Sequence, residues 1–148
     1  MSKHQFIDQL LIKADSRNHA LITPPEAVVG VINSLADTIH HFNAKWWHDL
    51  ETGEALPHTP DMILSKLMLA VTEVAEAAEG VRKDLNDDHL PHRKMVEVEI
   101  ADAIIRLFDL GAAMGLDIGG ALVEKCEYNI TRADHSTEAR KATNGKKA

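Results

Sequence analysis

The stretch LMLAVTEVAEAA, residues 67–78, has Thr72, Glu73 and Glu76 as its only polar side chains. A helix that is apolar nearly all round is expected to be buried, so the two glutamates are placed on an element with little face to offer water. They stand three residues apart and share a face, with Cβ atoms about 5–6 Å from each other. Upstream, Thr59 is suited to cap this helix with Pro60 at its first position, and the pattern predicts helix from Asp61 to Lys83.

Working outward, a second such element is predicted from Arg93 to Ala113. Between Val98 and Ala113 its polar residues are Glu99, Asp102, Arg106 and Asp109. At about 100° per residue these four fall within an arc of roughly 80°, and Ile100, Ile104, Ile105, Leu107 and Phe108 occupy the remainder. Packed side by side, the two helices bring Glu73, Glu76, Glu99 and Asp102 together. Ionised carboxylates at close range in a low dielectric repel strongly. Either some take up protons or a divalent cation neutralises them. Oxygen ligands without cysteine or histidine select Mg²⁺, Mn²⁺ or Ca²⁺, and Mg²⁺ keeps positions open for water and phosphate oxygens.

One E-x-x-E on a helix is usually a solvated face, whereas two acidic pairs on two apolar helices are harder to dismiss. The competing structural reading has Arg106 pairing with Asp102 and Asp109 at helical spacing in a buried ladder. That ladder leaves Glu73 and Glu76 without a cation on their own buried stretch.

The rest of the chain supports an all-helical fold. Pro24 and Pro25 suit a first helical turn, and Val28, Val29, Ile32, Leu35, Ile39 and Phe42 recur at helical spacing as far as Asn43. WWHDLETGEALPHTP and DLNDDHLPH read as connectors, and Gly115 ends the helix before it. A further helix is predicted from Ile118 to Arg132, and a short amphipathic one over 3–14. Long helices with short loops predict an antiparallel four-helix bundle. The expected organisation is an N-terminal extension at 1–22, the bundle at 23–135 and a polar, basic tail at 136–148.

Composition narrows the class. With 148 residues, 45% hydrophobic and 26% charged, the chain fits one soluble domain. Aromatics at 4% favour helix over sheet. A net charge of −7 argues against binding nucleic-acid polymers, which needs a basic surface. The single Cys126 leaves no internal disulfide, and no stretch approaches the roughly 20 apolar residues of a membrane span. A cytoplasmic protein is expected. DLNDDH at 84–89 lacks the glycine and closing glutamate of a calcium loop, and His89-x-x-His92 and His40-His41 lack partners for a zinc site.

The double motif, E-x-x-E at 73–76, 22 intervening residues and E-x-x-D at 99–102, resembles the signature of the MazG-like all-α nucleoside triphosphate pyrophosphohydrolases. KLMLAVTEVAEAAEGVRK is similar to the family's second helix, EIADAIIRLFDLGAAMGLDI to its third, and EKCEYNITR to its segment of lysine, asparagine and a later basic residue. The likeness covers about Trp46 to His135. It implies an enzyme that binds Mg²⁺, with Mn²⁺ as a substitute, through Glu73, Glu76, Glu99 and Asp102. The enzyme would cleave a nucleoside triphosphate to the monophosphate and pyrophosphate and assemble as a dimer or tetramer. It also implies phosphate or sugar contacts from Lys125, Asn129 and Arg132, which share a helix face. One of Trp46 and Trp47 would stack on the base.

Two further classes are open to the sequence. One is a catalytically silent helical interaction module whose acids serve internal salt bridges. The other is a di-iron bundle, which needs Glu-x-x-His pairs that neither carboxylate helix has.

Overall fold

The computed structural model describes residues 24–132, 139 and 141. The helix expected at 3–14 and His135 lie outside the described residues, as does the tail apart from those two positions. Among the described residues all regular structure is helical. Helix α1 spans Pro25–Asn43 and leads into a 3-10 turn at Ala44–Trp47, followed by α2 (Pro60–Lys83), α3 (Met95–Ala113) and α4 (Ile118–Thr131). Isolated bridges at His48–Ala55 and Asn86–Lys94 close two connectors without growing into a sheet. The chain divides into two compact units, one of residues 34–116 and one formed by the segments on either side, with the boundary inside α1.

The unit of residues 34–116 is built on α2 and α3. The Thr59 hydroxyl accepts from the Met62 amide at 3.3 Å, and Pro60 occupies the first turn, as their sequence positions require. Asp84 stops α2 in a left-handed conformation, φ 53°, and the Leu85 amide returns to the Gly80 carbonyl at 3.0 Å. The chain then doubles back tightly. Met95 donates to the Leu85 carbonyl at 3.0 Å, and Lys94 pairs with Asp84 at 2.7 Å. Helices α2 and α3 therefore run antiparallel, with the end of one beside the start of the other. Gly80 makes this approach possible: a Cβ there would lie 2.9 Å from the Met95 Cβ.

Helix α3 starts two residues later than predicted, because Arg93 is spent on the turn. Its amide donates to Leu90 and its carbonyl accepts from Asp87. The Asp87 carboxylate accepts from the His89 and Leu90 amides at 3.0 and 2.5 Å, so this loop acid serves its own backbone. Gly115, at φ +64°, ends α3 as expected.

Burial is narrower than the sequence predicts. The contact stripe is Ala70, Glu73, Ala77 and Gly80 on α2, with Glu99, Ala103, Asp109, Leu110 and Gly111 on α3. Leu67, Met68, Val71 and Val74 are exposed, as are Ile100, Ile104 and Leu107. Small residues bring the two helices close along one stripe, and each helix leaves a second apolar stripe uncovered. In α1 the same occurs: Ala36 is buried while Leu35 and Phe42 are exposed.

In the other unit the start of α4 is tied to α1. Asn33 donates to Asp117 and accepts from the Gly119 amide, both at 2.8 Å. Asp117 also caps α4 by accepting from Gly120 at 2.8 Å. Val28 and Val123 are buried there. No helix among the described residues is long and apolar enough to cross a membrane.

Candidate functional site

The acids of the two apolar helices do meet. Glu73 lies in the small-residue stripe of α2 between Ala70 and Ala77, where α3 can come close. One ligand oxygen from each of Glu73, Glu76 and Glu99 lies within 4.8 Å of the other two. Glu73 and Glu99 are 6% and 7% exposed, whereas Glu76 is exposed. Asp102 stands outside this tight group and lines the same cleft of about 630 Å³ with Glu73, Glu76, Glu99, Asp87 and Arg106.

The electrostatics follow from the crowding. Burial, a hydrogen bond to Glu73 and the charges of Glu76, Glu73 and Asp102 push Glu99 up to about 7. Burial and the charge of Glu73 also raise Asp102, with Arg106 opposing. Arg106 crosses from α3 and donates from Nε to Glu73 Oε1. The ladder predicted along α3, Arg106 with Asp102 and Asp109, does not form. The antiparallel packing places Glu73 within reach of Arg106, and Asp109 has other partners. The cation for Glu73 comes from the neighbouring helix, which spacing along α2 alone does not reveal.

Asp109 is held by the turn before α2. Trp47 Nε1 donates to both its oxygens, at 2.9 and 3.0 Å, and His40 Nδ1 is hydrogen-bonded to Oδ1 at 2.7 Å. Trp47 is 4% exposed, with the rings of His40 and His58 edge-on at 5.6 and 5.2 Å. The Lys66 ammonium sits 3.9 Å from the centre of the Trp47 ring. Burial pulls Lys66 below its usual range, opposed by Asp109 and reinforced by Arg106. Trp46, by contrast, is 61% exposed. It lines a second cavity of about 530 Å³ with Asn43, Lys66, Asp102, Arg106 and Asp109. Asp102 and Arg106 belong to the walls of both cavities.

Lys125 and Asn129 lie on α4, with Arg132 just past its end, in the other unit. Lys125 and Arg132 both approach the Tyr128 ring, at 4.6 and 5.8 Å, as expected of residues sharing a helix face. Lys66 was not singled out by the sequence, and Asp109 and His40, read there as a partner of Arg106 and a rejected zinc ligand, instead meet each other and Trp47. The signal for Lys66 was its place two turns before Glu73, on the same side of α2.

The three clustered carboxylates suit a hard divalent cation: every donor is an oxygen, and two of the three are already held out of water by packing. Comparison with protein-family models, curated proteins and solved structures finds no match for this chain.

Proposed function

We propose that this chain is a Mg²⁺-dependent nucleoside triphosphate pyrophosphohydrolase, cleaving a nucleoside triphosphate to the monophosphate and pyrophosphate. The observation that carries the reading is the convergence of Glu73, Glu76 and Glu99, from two helices, on one cleft. Together with Asp102 they are the residues that would hold Mg²⁺, with Mn²⁺ as a substitute. The chemistry such an ion supplies is screening of phosphate charge and acidification of a bound water.

The chain's own residues provide the positioning. Glu76 is the exposed acid of the cluster and faces the cleft, where it orients the attacking water. That water's oxygen bonds to the α-phosphorus as its proton passes to Glu76, the bond to the α,β-bridging oxygen breaks, and pyrophosphate leaves. Trp46, exposed on its cavity, offers a stacking face to the base, and Trp47 anchors the turn that presents it. Lys125, Asn129 and Arg132 are assigned to phosphate and sugar. The same proposal carries the four-helix bundle of the MazG-like type, the homo-oligomer and the cytoplasmic location expected from the sequence.

A screen of common and modified nucleoside triphosphates with Mg²⁺, scoring monophosphate and pyrophosphate, tests the reading directly. Glu76→Gln is expected to abolish turnover while leaving the helical circular dichroism unchanged. Full activity in that variant would remove Glu76 from the site.

A second reading, a silent helical interaction module, is favoured by one observation: Arg106 already balances part of the acid charge by pairing with Glu73. Melting separates the two. The enzyme gains stability by about 1.4 kcal/mol when Mg²⁺ reaches ten times its Kd, and the silent module gains none.

A further inference from the structure

Lys66 is a cation without a hydrogen-bonded acid among the described residues. It is half-buried on α2, and among the described residues no hydrogen bond or ion pair reaches its ammonium. Its contact is the face of Trp47, 3.9 Å from the ring centre. Asp109, the nearest acid in electrostatic terms, has both oxygens occupied by Trp47 and one shared with His40. The half-buried ammonium keeps access to the adjoining cavity, where water or a ligand can meet its donors. Here the side chain lines a cavity of about 530 Å³ that it shares with Arg106 and the exposed ring of Trp46. Arg106 uses Nε on Glu73, and its terminal nitrogens have no hydrogen-bonded partner among the described residues. Two cations, the carboxylates of Asp102 and Asp109, and the exposed Trp46 ring, with the Lys45 ammonium 5.0 Å from its centre, thus converge on one space, next to the acid cleft through the common wall of Asp102 and Arg106.

We propose that this cavity is an oligophosphate subsite in which Lys66 and the guanidinium tip of Arg106 grip the phosphate chain of a nucleotide whose base lies on Trp46. The assignment rests on the nucleotide reading above and concerns only residues of the 34–116 unit. Trp47 holds the Lys66 ammonium in place by its ring, and Asp109 holds Trp47, so the subsite is preorganised before any ligand enters. Lys66 carries a charge that an incoming phosphate can pair with, at little cost in broken protein contacts.

Trp46 and Trp47 are the only tryptophans of the chain, and both belong to this region, so intrinsic fluorescence reports binding without turnover. The wild type, Lys66→Met, Lys66→Arg and Lys83→Met are each titrated with an α,β-methylene nucleoside triphosphate and with inorganic tripolyphosphate, in Mg²⁺. Lys83 lies on the same helix, outside the cavity and paired with Glu79, and controls for loss of one charge. Lys66→Met is expected to weaken both ligands at least about tenfold, the size of one lost charge-assisted contact. Lys66→Arg should recover most of that loss, and Lys83→Met should match the wild type. The nucleotide analogue should bind more tightly than tripolyphosphate, through Trp46.

Melting curves check that the variants fold. If Lys66→Met binds like the wild type, or if the wild type binds neither ligand, the inference is overturned whatever the turnover assay shows. Lys66-dependent binding without pyrophosphate release from any nucleotide upholds the subsite and overturns the hydrolase reading instead.

Discussion

Glu99 is a carboxyl that its surroundings turn into a weaker acid. Burial, the hydrogen bond to Glu73 and the neighbouring acids raise it from 4.5 to about 7. Between those values the folded chain holds a proton that the unfolded chain releases, so stability falls as pH rises through the window and levels off above it. Asp102, also raised, acts in the same direction. The lowered carboxyls Glu79, Asp84 and Asp117 contribute stability that is lost only as pH falls below the ordinary carboxylate range. The metal-free protein is therefore expected to be more stable at pH 5.5 than at pH 8. Urea midpoints in chelator should show this, and Glu99→Gln should flatten the slope; a rising slope would mean the acids are not crowded. Trp47 gives a second residue-scale expectation. Trp47→Phe keeps a ring but removes the indole donor shared by both Asp109 oxygens, leaving His40 on Oδ1, and should cost about 1–3 kcal/mol by urea titration. Glu73 and Glu99 were legible in the sequence because acids interrupt apolar helices there. Lys66 and Asp109 were not, because their roles depend on a tryptophan delivered by a turn outside both helices.

At the scale of elements, the helices announced themselves through their ends. Thr59 and Pro60 open α2, and Gly115 closes α3, each for a local reason that sequence spacing reveals. The start of α3 moved because Arg93 makes backbone hydrogen bonds in the turn, a non-helical bonding pattern that spacing does not encode. The extent of burial was overestimated for a related cause. Periodicity reports how much of a helix is apolar, while packing in the chain depends on how many neighbours arrive. The close stripe between α2 and α3 makes Gly80 sensitive. Gly80→Val replaces glycine with a better helix former, yet its Cβ would meet Met95 and the Val96 amide at 2.9 and 3.1 Å. Overpacking should win over propensity, for a loss of about 1–3 kcal/mol. Gly30 in α1 is the contrasting case, with nothing within 4 Å of an added Cβ. Gly30→Ala should gain up to about 1 kcal/mol from the same propensity difference. Equal responses of the two variants in chemical denaturation would show that the interhelical approach is not tight.

For the whole molecule, the uncovered stripes matter most. Leu67, Met68, Val71 and Val74 on α2 and Ile100, Ile104 and Leu107 on α3 are exposed. Soluble monomers rarely leave contiguous apolar patches of that kind open, and such patches mark association surfaces. Helical propensity does not account for so many large apolar residues outside the contact stripe; burial against a second copy would, which is what the proposed homo-oligomer predicts. The stripes are also distinct from the acid cleft, which is lined by the opposite side of the contact. Charge placed on the stripes should therefore separate assembly from metal binding. Sedimentation at tens of micromolar is expected to give a mass at least twice the 16.3 kDa of one chain. The double variant Val71→Glu with Ile104→Glu should fall to the single-chain mass, because two buried, unpaired carboxylates per chain are too costly to keep at an interface. Its Mg²⁺-dependent rise in melting temperature should persist, since Glu73, Glu76 and Glu99 come from one chain. A wild type that sediments at 16.3 kDa would leave the stripes to a different partner, and loss of the Mg²⁺ response on dissociation would mean that a second copy completes the site.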